Sequence, residues 1–333
     1  MKNSMPVRDR RHTQKDHAVL VTGSSGFVGC HLYRSLLEAD GIGSLHGLDI
    51  VVPKGPRAPG FLRADVRRAE DLQSVAAIVR PHTIFHLAAV AEVVLPLKAF
   101  PELFETNLEG TLNVLNVLQP KLVLSASTSA VYGNAPASGA RPSWNAVRPI
   151  GIYGMSKAIG EMIGRDWARE TGNVFLHFRF GNVTGPNCRG LIPYLVNHAK
   201  KYPGGSPPAQ LRGHGRAIRD YVPIQYVMEV LLAAMRGDWR PGTSETFNIG
   251  TGRGTTNGTV FKIVQNILHR RGYALSADFE NPLCAGESQT VVLDMKSTAR
   301  KLGVPPPPKS AVVRAIEEAT LSYLDAPLGG NAE

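Results

Sequence analysis

The sequence predicts an α/β protein built on a doubly wound parallel sheet, and three observations lead to that expectation. Short apolar runs alternate with amphipathic stretches through the first half of the 333-residue chain. The apolar runs are continuous, as in strands that are buried on both faces of a parallel sheet. A glycine-rich turn follows the first run and opens an amphipathic stretch. Strands that alternate with helices in this way are typical of doubly wound folds.

The predicted elements follow one another in a regular order. The strands expected in the first half are 18–23, 44–50, 61–66, 82–89 and 121–127. The helices expected between them are 26–39, 69–79 and 100–118. Beyond about residue 181 the rhythm changes, with loops rich in proline or glycine at 202–208 and 305–308. The elements expected there are helices near 223–236, 258–271 and 311–324 and a strand near 245–249.

A glycine motif, TGSSGFVG, carries Gly23, Gly26 and Gly29 between the first strand and its helix. The first glycine allows a tight turn, the second lets the backbone approach a pyrophosphate, and the third lets helix and strand pack closely. The helix N-terminus offers N–H groups and a positive dipole end to the phosphates. Asp49 stands 20 residues after Gly29, where an acidic residue accepts hydrogen bonds from the adenosine ribose. A carboxylate there repels a 2′-phosphate, so NAD is predicted over NADP; the alternative is that Asp49 only begins a turn.

The motif assigns a Rossmann-type fold to the larger of two expected units. Residues 17–180 are predicted to form the NAD-binding domain, to which a segment at about 220–250 returns. Residues 181–219 and 251–325 are predicted to form a smaller C-terminal substrate-binding lobe. Residues 1–16 carry five Lys or Arg, two Asp and no apolar core, so a flexible basic tail is expected there and not a signal peptide.

Composition disfavours several classes of protein. No run of about 18 apolar residues occurs, so no membrane partner is expected. The net charge is +10, but Lys and Arg are scattered rather than set in a stripe with aromatic residues, so no nucleic acid is expected. A solvated basic surface is predicted, and attraction of phosphate-bearing small molecules is the alternative. Cys30, Cys188 and Cys284 form no CxxC pair, which predicts no disulfide, no metal site and a cytoplasmic location.

Tyr153 and Lys157 are four residues apart on a predicted helix and therefore share a face. An ammonium beside a phenol favours the phenolate, so we expect the pKa of Tyr153 to lie below its usual value of about 10. Thr128 ends the strand that carries LSAS and can hydrogen-bond the same substrate oxygen. This set suits removal of a hydroxyl proton while a hydride leaves the adjacent carbon. Tyr and Lys at this spacing are common on surfaces, but their position after the fifth strand favours catalysis.

Taken together, these segments resemble the extended short-chain dehydrogenase/reductases, specifically the nucleotide-sugar epimerase/dehydratase family typified by UDP-galactose 4-epimerase. The resemblance covers nearly the whole chain beyond the tail. The matching segments are TGSSGFVG, IFHLAA, NLEGTLNVL, STSAVYG, YGMSK, RFGNVTGP, IRDYV and FNIGTG. As a combination they are specific to the family but not to one member of it.

The resemblance implies functional roles for further residues. Asn182 would meet the phosphate-bearing part of a nucleoside-diphosphate sugar, and Arg219 would bind its diphosphate. Asp65 and Val66 would flank the adenine of NAD. The cofactor-binding set implied is Gly23, Ser25, Gly26, Phe27, Val28, Asp49, Asp65, Val66, Leu87, Ala88, Ala89, Asn107, Tyr153 and Lys157. The helices around 100–118 and 151–170 would form the four-helix interface of a homodimer; packing against the sheet is the alternative for them.

Departures from the family pattern narrow the reaction. In the 4,6-dehydratases of the family, acidic residues follow the catalytic threonine, where this chain has Ser129 and Ala130. The UDP-glucuronate decarboxylases usually carry a glutamate at the position of Ala130. An epimerase needs neither group and is therefore favoured. Cys284 replaces the family's second phosphate-binding arginine, Tyr226 replaces a usual aspartate, and Glu92 lies in a segment with few polar groups, which points to a non-standard nucleotide sugar.

The function predicted is an NAD-dependent epimerase of a nucleoside-diphosphate sugar. It would act at C4, by transient hydride transfer to NAD and a 4-keto intermediate. The alternatives are a dehydratase, decarboxylase or reductase of such a sugar, and a simple NAD-dependent alcohol dehydrogenase on a non-nucleotide substrate. A catalytically silent dinucleotide-binding sensor is disfavoured because Thr128, Tyr153 and Lys157 are all present.

Overall fold

The computed structural model describes residues 17–53, 60–135 and 138–327, and the expected basic tail, residues 1–16, lies outside them. In chain order the strands are β1 (Ala18–Thr22), β2 (Ser44–Asp49), β3 (Phe61–Arg63), β4 (Thr83–His86), β5 (Leu122–Thr128), β6 (Val174–Phe180), β7 (Asn182–Thr184), β8 (Ala209–Gln210), β9 (Ile218–Arg219), β10 (Tyr221–Pro223), β11 (Ser244–Ile249), β12 (Thr255–Thr256), β13 (Ala277–Asp278) and β14 (Thr290–Val291). The α-helices are α1 (Phe27–Leu37), α2 (Ala69–Ile78), α3 (Phe100–Phe104), α4 (Gly110–Leu118), α5 (Ile152–Thr171), α6 (Leu191–Lys201), α7 (Ile224–Met235), α8 (Asn257–Arg270), α9 (Lys296–Leu302) and α10 (Lys309–Asp325).

Seven of these strands form one parallel sheet in the order β11-β6-β5-β4-β1-β2-β3. The chain builds outward from β1 to β3 and then crosses to β4 on the other side of β1. This reversal between β1 and β4 is the point where doubly wound sheets bind ligands, beyond the carboxyl ends of their strands. The predicted fold class, a Rossmann-type doubly wound α/β sheet, is confirmed.

The sheet is apolar on both faces because helices cover both. Val19 and Val21 of β1 belong to the same buried cluster as Leu32 of α1. Leu20, which points the other way, belongs to the cluster that contains Leu72 of α2 and lies under α4. Successive side chains of a strand face opposite sides of a sheet. The continuous apolar run of the first strand therefore serves two cores.

Most predicted elements differ from the observed ones only at their ends, but one differs in kind. The helix expected over 100–118 is divided into α3 and α4 by a π-helical turn, Glu105–Glu109. Single π-helical turns within α-helices occur frequently at functional sites. The helix α6 and the strand β6 were not among the elements expected from the sequence.

A separate apolar cluster joins three helices of the C-terminal half. Val196 of α6, Val264 of α8 and Ile316 of α10 are buried together in it. The strand β11 and helix α7, by contrast, lie with the sheet: Phe247 is opposite Phe178 in β6, and α7 packs against α1 and β5. In the described part of the chain, no helix has the length and apolar character needed to cross a membrane.

The helix α5 lies close to the sheet at two glycines. A Cβ atom on Gly154 would stand 2.7 Å from the carbonyl oxygen of Ala130. A Cβ atom on Gly164 would stand 2.7 Å from the rings of Phe175 and His177, which stack on each other with centroids 4.6 Å apart. Gly160, on the same helix, would meet nothing within 4 Å.

We expect Gly164→Ala to lower the free energy of unfolding by about 1–3 kcal/mol, because the added methyl overlaps two packed rings. Gly160→Ala is the matched control. It should raise the free energy of unfolding by about 0.5–1 kcal/mol, because alanine has the better helix propensity and the space is open. Urea unfolding of both variants measures the difference, and equal effects would contradict the close packing at Gly164.

Candidate active site

The carboxyl edge of the sheet collects the residues that the sequence singled out. The glycine motif follows β1, Asp49 ends β2, Asp65 follows β3, Leu87 follows β4 and Thr128 ends β5. Parallel strands present their carboxyl ends at one edge, which is where open α/β sheets bind ligands. The sheet therefore brings together residues that lie far apart in the sequence.

The glycine motif forms a cradle that a side chain would fill. Gly23 has a φ of +71°, and a Cβ there would lie 2.7 Å from the amide nitrogen of Ala88. A Cβ on Gly29 would lie 2.0 Å from the carbonyl oxygen of Gly23. Gly26 is the N-cap of α1 and makes no side-chain capping bond. The first turn of α1, with Phe27 and Val28, therefore presents its N–H groups as dinucleotide pyrophosphates require, and these residues fit NAD.

Asp49 is fixed beside this cradle. Its Oδ2 accepts a hydrogen bond of 2.9 Å from the amide of Ser25, and its Oδ1 accepts one of 2.9 Å from the amide of Val51. The Ser25 hydroxyl donates to the carbonyl of Val51 at 2.7 Å. Asp49 thus both begins a turn and holds a carboxylate next to the glycine loop, so the two interpretations of this residue are compatible.

Asp65 and Val66, the next two residues of the predicted cofactor set, differ in the surroundings of their side chains. The carboxylate of Asp65 pairs with Arg67 at 2.5 Å, and the hydrogen bond from Arg67 holds the pKa of Asp65 below its usual value. The side chain of Val66 is buried, and its Cγ2 lies 2.8 Å from where a Cβ on Gly110 would stand. Val66 therefore directs its side chain into the core, and any contact with an adenine would have to use its backbone.

A chain of hydrogen bonds holds the loop of Leu87, Ala88 and Ala89. The Thr22 Oγ1 accepts from the amides of Leu87 and Ala88, each at 3.2 Å. Its own hydrogen is then free to donate to His86 Nδ1, 2.9 Å away. His86 Nε2 accordingly carries the hydrogen and donates to Thr111 Oγ1 at 3.0 Å. Burial lowers the pKa of His86 to about 3, so the ring is neutral, as this series of hydrogen bonds requires.

Asn107, in the π-helical turn, joins that loop to α5. Its side chain accepts a bond of 2.8 Å from the amide of Val90 and donates one of 3.1 Å to the Val90 carbonyl. It also donates to the hydroxyl of Ser156 at 3.1 Å, and that hydroxyl donates to the carbonyl of Tyr153 at 2.8 Å. Asn107 therefore stabilises the site by fixing two backbone segments, the loop at Val90 and, through Ser156, the start of α5.

The three predicted catalytic residues converge on one strand. The hydroxyl of Thr128 lies close enough to the phenol of Tyr153 to oppose the effect of burial on the Tyr153 pKa. The ammonium of Lys157 donates to the carbonyl of Ala126, two residues earlier in β5, at 3.0 Å. A phenol, a hydroxyl and an ammonium set in this order can move a proton to or from a substrate hydroxyl.

The expectation of a lowered Tyr153 pKa is wrong for this structure. Burial raises the pKa of Tyr153 to about 12, and the nearby hydroxyl of Thr128 only partly opposes it. Burial also lowers the pKa of Lys157 to about 8. Desolvation disfavours both charged forms, and the expectation did not take this burial into account.

The predicted substrate-binding residues lie beyond the same edge. Tyr221 of β10 pairs with Asn182 of β7, which places Arg219 two residues from that pairing. The Nη1 of Arg219 donates to the carbonyl of Ile218 at 3.0 Å. Asn182 is exposed and Arg219 is half-buried. These two residues are placed together, and β7 follows β6, the neighbour of β5.

The positions that depart from the family pattern have structural roles. The Tyr226 side chain is buried in α7, and its hydroxyl donates to the carbonyl of Val304 at 3.3 Å. The amide of Cys284 donates to the carboxylate of Glu287 at 2.8 Å. Tyr226 is therefore a core residue. Cys284 belongs to a loop that is stabilised by a hydrogen bond to Glu287.

Sequence reasoning missed two buried carboxylates. Glu161 forms an ion pair of 2.5 Å with Arg179, and both side chains are almost completely buried. Asp220, between β9 and β10, accepts bonds from the amides of Thr251, Gly252 and Leu293, which ties it to the segments that follow β11 and β14. The four-residue spacing of Glu161 from Lys157 was the available signal for the first; Asp220 stands inside the quoted IRDYV segment.

The fold and this constellation define a dinucleotide-binding enzyme of the α/β class. The model of the NAD dependent epimerase/dehydratase family matches residues 19–250. The chain therefore belongs to that family, and its cofactor is NAD, as the sequence predicted. A UDP-glucose 4-epimerase of Mycoplasma genitalium is 30% identical over 63% of this chain and 67% of its own length.

Two solved structures are similar to the whole fold. The UDP-glucose 4-epimerase of Thermus thermophilus, in complex with NAD, has 27% identity and a TM-score of 0.79, covering 93% of this chain and all (100%) of its own. The enzyme of that name from Thermotoga maritima, with UDP-glucose, has 28% identity and a TM-score of 0.78, covering 92% and 98%. Both cover the nucleotide domain and the C-terminal half.

The neutral His86 predicts a pH dependence of stability. Its pKa falls from 6.5 to about 3 on folding, so the unfolded chain binds the extra proton and the free energy of unfolding decreases as pH falls below about 6.5. His86→Asn should be less stable than wild type at pH 8, by about 1–3 kcal/mol, but should lose less stability between pH 7 and 5. Urea unfolding across pH tests this. The exposed His269→Asn control should follow wild type, and a wild-type slope in His86→Asn would contradict the assignment.

Proposed function

We propose that this protein is an NAD-dependent epimerase that inverts C4 of a nucleoside-diphosphate sugar. The observation that carries the proposal is the contact of Thr128 with Tyr153, with Lys157 one turn further along α5, at the sheet edge that holds the glycine cradle. The similar proteins named UDP-glucose 4-epimerase support both the substrate class and the carbon atom.

In the proposed reaction the proton is handled by α5 and β5. The Tyr153 phenolate takes the proton of the sugar C4 hydroxyl, while Thr128 hydrogen-bonds the same oxygen. The positive charge of Lys157 is proposed to stabilise the phenolate electrostatically. With NAD bound, the C4 hydride would pass to the cofactor and leave a 4-keto sugar; once hydride had returned to the opposite face of C4, Tyr153 would give the proton back to the same oxygen.

The bound NAD supplies the hydride acceptor and donor, so it is used without net consumption. The residues proposed to hold its phosphates are in the glycine cradle, and Asp49 is proposed to hold its adenosine ribose. Asp65 and the Val66 backbone are proposed to flank the adenine. The segment Leu87–Ala89 would lie along the cofactor, at the position that the Thr22 hydroxyl and Asn107 fix.

The diphosphate is proposed to bind at Arg219, with Asn182 beside it. We infer that residues 181–219 and 251–325 act as the substrate-binding lobe on the NAD-binding domain, and the separate cluster of α6, α8 and α10 supports this division. Because Arg219 is half-buried, its charge is poorly solvated and favours an anionic partner.

The residues after Thr128 favour epimerisation over loss of water. Ser129 and Ala130 form a 3₁₀ turn in which the amide of Ala130 donates to Thr128 Oγ1 at 3.1 Å. Neither side chain can donate a proton as a carboxylic acid does. A 4,6-elimination needs such a donor, whereas inversion at C4 needs only the Tyr153 proton.

We also propose a homodimer formed by α3, α4 and α5. Apolar side chains on these helices are exposed in the single chain: Phe104, Leu112, Met155 and Met162. Because α5 packs against both α3 and α4, two copies could form a four-helix bundle. A cytoplasmic location is proposed as well, supported by the free thiols of Cys30, Cys188 and Cys284.

Tyr153→Phe should lower kcat by at least about 100-fold, because the variant cannot carry the proton. It should retain NAD, since only a hydroxyl is removed. Turnover is measured by NMR on a panel of UDP-, GDP- and dTDP-sugars, and NAD by mass spectrometry of the molecules released on denaturation. Tyr273→Phe, the same change in the loop after α8, is the control and should turn over as wild type does.

Wild-type protein should yield bound NAD and an equilibrating pair of C4 epimers from one sugar of the panel. Steady release of NADH with an alcohol substrate would instead identify a simple dehydrogenase. Wild-type turnover by Tyr153→Phe would overturn the assignment of the proton carrier.

Leu112→Glu and Met162→Glu should each convert the dimer to monomer, because a carboxylate would be buried at the interface. Analytical ultracentrifugation at the same protein concentration measures the change. Leu37→Glu, on the exposed side of α1, makes the same kind of substitution on another helix. That control should remain dimeric, and a dimer in all three variants would place the interface elsewhere.

A further inference from the structure

A buried carboxylate that the proposed reaction does not use lies one helical turn beyond Lys157. Glu161 is 5% exposed and faces the sheet from α5. Its Oε1 accepts a bond of 2.6 Å from the hydroxyl of Ser127 in β5 and one of 2.8 Å from Nε of Arg179 in β6. A buried ion pair is seldom more stabilising than apolar packing, so its position calls for a physical explanation.

Consecutive residues of β5 hold three successive turns of α5. Thr128 contacts Tyr153, and the carbonyl of Ala126 accepts from Lys157. Between them, Ser127 donates to Glu161. The strand therefore fixes the carboxylate in the same row of the helix as the phenol and the ammonium, with spacings of four residues.

A small cavity is lined by both Lys157 and this carboxylate. It has a volume of about 10 Å³ and is lined by His86, Asn107, Thr111, residues 125–127, Lys157, Gly160, Glu161 and His177. A space of this size holds at most about one water molecule. Little solvent can therefore screen the charges of Lys157 and Glu161 from each other.

The other titratable groups around the cavity do not replace Glu161. Burial lowers the pKa of His86 to about 3 and that of His177 to about 4, so both rings are neutral at working pH. Arg179 directs its guanidinium to Glu161 and to the carbonyl of Ser143. Among the described residues, Glu161 is the only anion that acts on Lys157.

We propose that Glu161 is a positioning residue whose carboxylate keeps the Lys157 ammonium charged across this small cavity and so sets the upper pH limit of the reaction. The inference rests on the proposed function, in which the Lys157 charge stabilises the Tyr153 phenolate. Arg179 and Ser127 hold the carboxylate in its ionised form. Although burial alone would raise the pKa of Glu161, the bonds from Arg179 and Ser127 lower it.

The direction of the effect follows from desolvation. Burial lowers the pKa of Lys157 to about 8, and Glu161 opposes that shift. Without the carboxylate, Lys157 would lose its proton at lower pH. Turnover would then decline within the range where wild-type protein is still active.

The test is the pH profile of kcat for Glu161→Gln in the NAD-loaded protein. The alkaline limb should move down by about one pH unit or more, the shift that removal of a close opposite charge produces. KM and NAD content should stay at wild-type values, because Glu161 touches neither ligand in the proposed site. Glu170→Gln, the same change on the exposed end of α5, should leave the profile unchanged.

In Glu161→Gln the buried Arg179 has lost its ion-pair partner, which could prevent folding. A second variant keeps the test decisive in that case. Glu161→Gln with Arg179→Met removes both charges and should still lower the alkaline limb, as the single change does. An unmoved limb in a folded variant would overturn the inference. Lys157→Met separates the two proposals: wild-type turnover in that variant would overturn the role of the Lys157 charge in the proposed reaction, whereas its loss of turnover beside an unmoved Glu161→Gln limb would overturn only the role of Glu161.

Discussion

The packing of α5 on β5 is the contact on which the site depends. The helix also lies close to the turn after β5 and to β6 at Gly154 and Gly164, where any side chain would meet the backbone of Ala130 or the rings on β6. This close approach lets Thr128 contact Tyr153 and lets a main-chain carbonyl accept from Lys157. The geometry of the proton-carrying groups is thus determined by how near a helix can lie to a strand.

A second constraint is the close approach of β1, α1 and the loop after β4. Gly23 has no space for a side chain because the amide of Ala88 is adjacent. Thr22 and Asn107 hydrogen-bond the backbone of this loop, and His86 hydrogen-bonds Thr22. Asn107 also hydrogen-bonds Ser156 of α5, so the loop is connected to that helix. The proposed NAD site and the proposed proton carriers therefore share one rigid framework, in which backbone positions are fixed by buried polar side chains.

Local patterns predicted the parts of this framework that depend on neighbours in sequence. Apolar runs identified the sheet strands β1, β2 and β5, and spacing identified Tyr153, Lys157 and Asp49. The rest depends on tertiary contacts that no local pattern encodes. The π-helical turn around Asn107 interrupts a sequence that reads as one helix, and the raised pKa of Tyr153 reflects burial. The ion pair of Glu161 with Arg179 of β6 could not be predicted from the sequence for the same reason.

The burial of charged groups beneath the site lowers the stability of the folded protein. A lysine, a glutamate and an arginine are desolvated within a small region, and two neutral histidines lie beside them. Apolar residues of similar volume would fill such a region at lower cost. Burial makes each charge act strongly on the next, because little water screens it. The Lys157 ammonium, which burial disfavours and the proposed reaction needs, is the group that gains from an adjacent carboxylate.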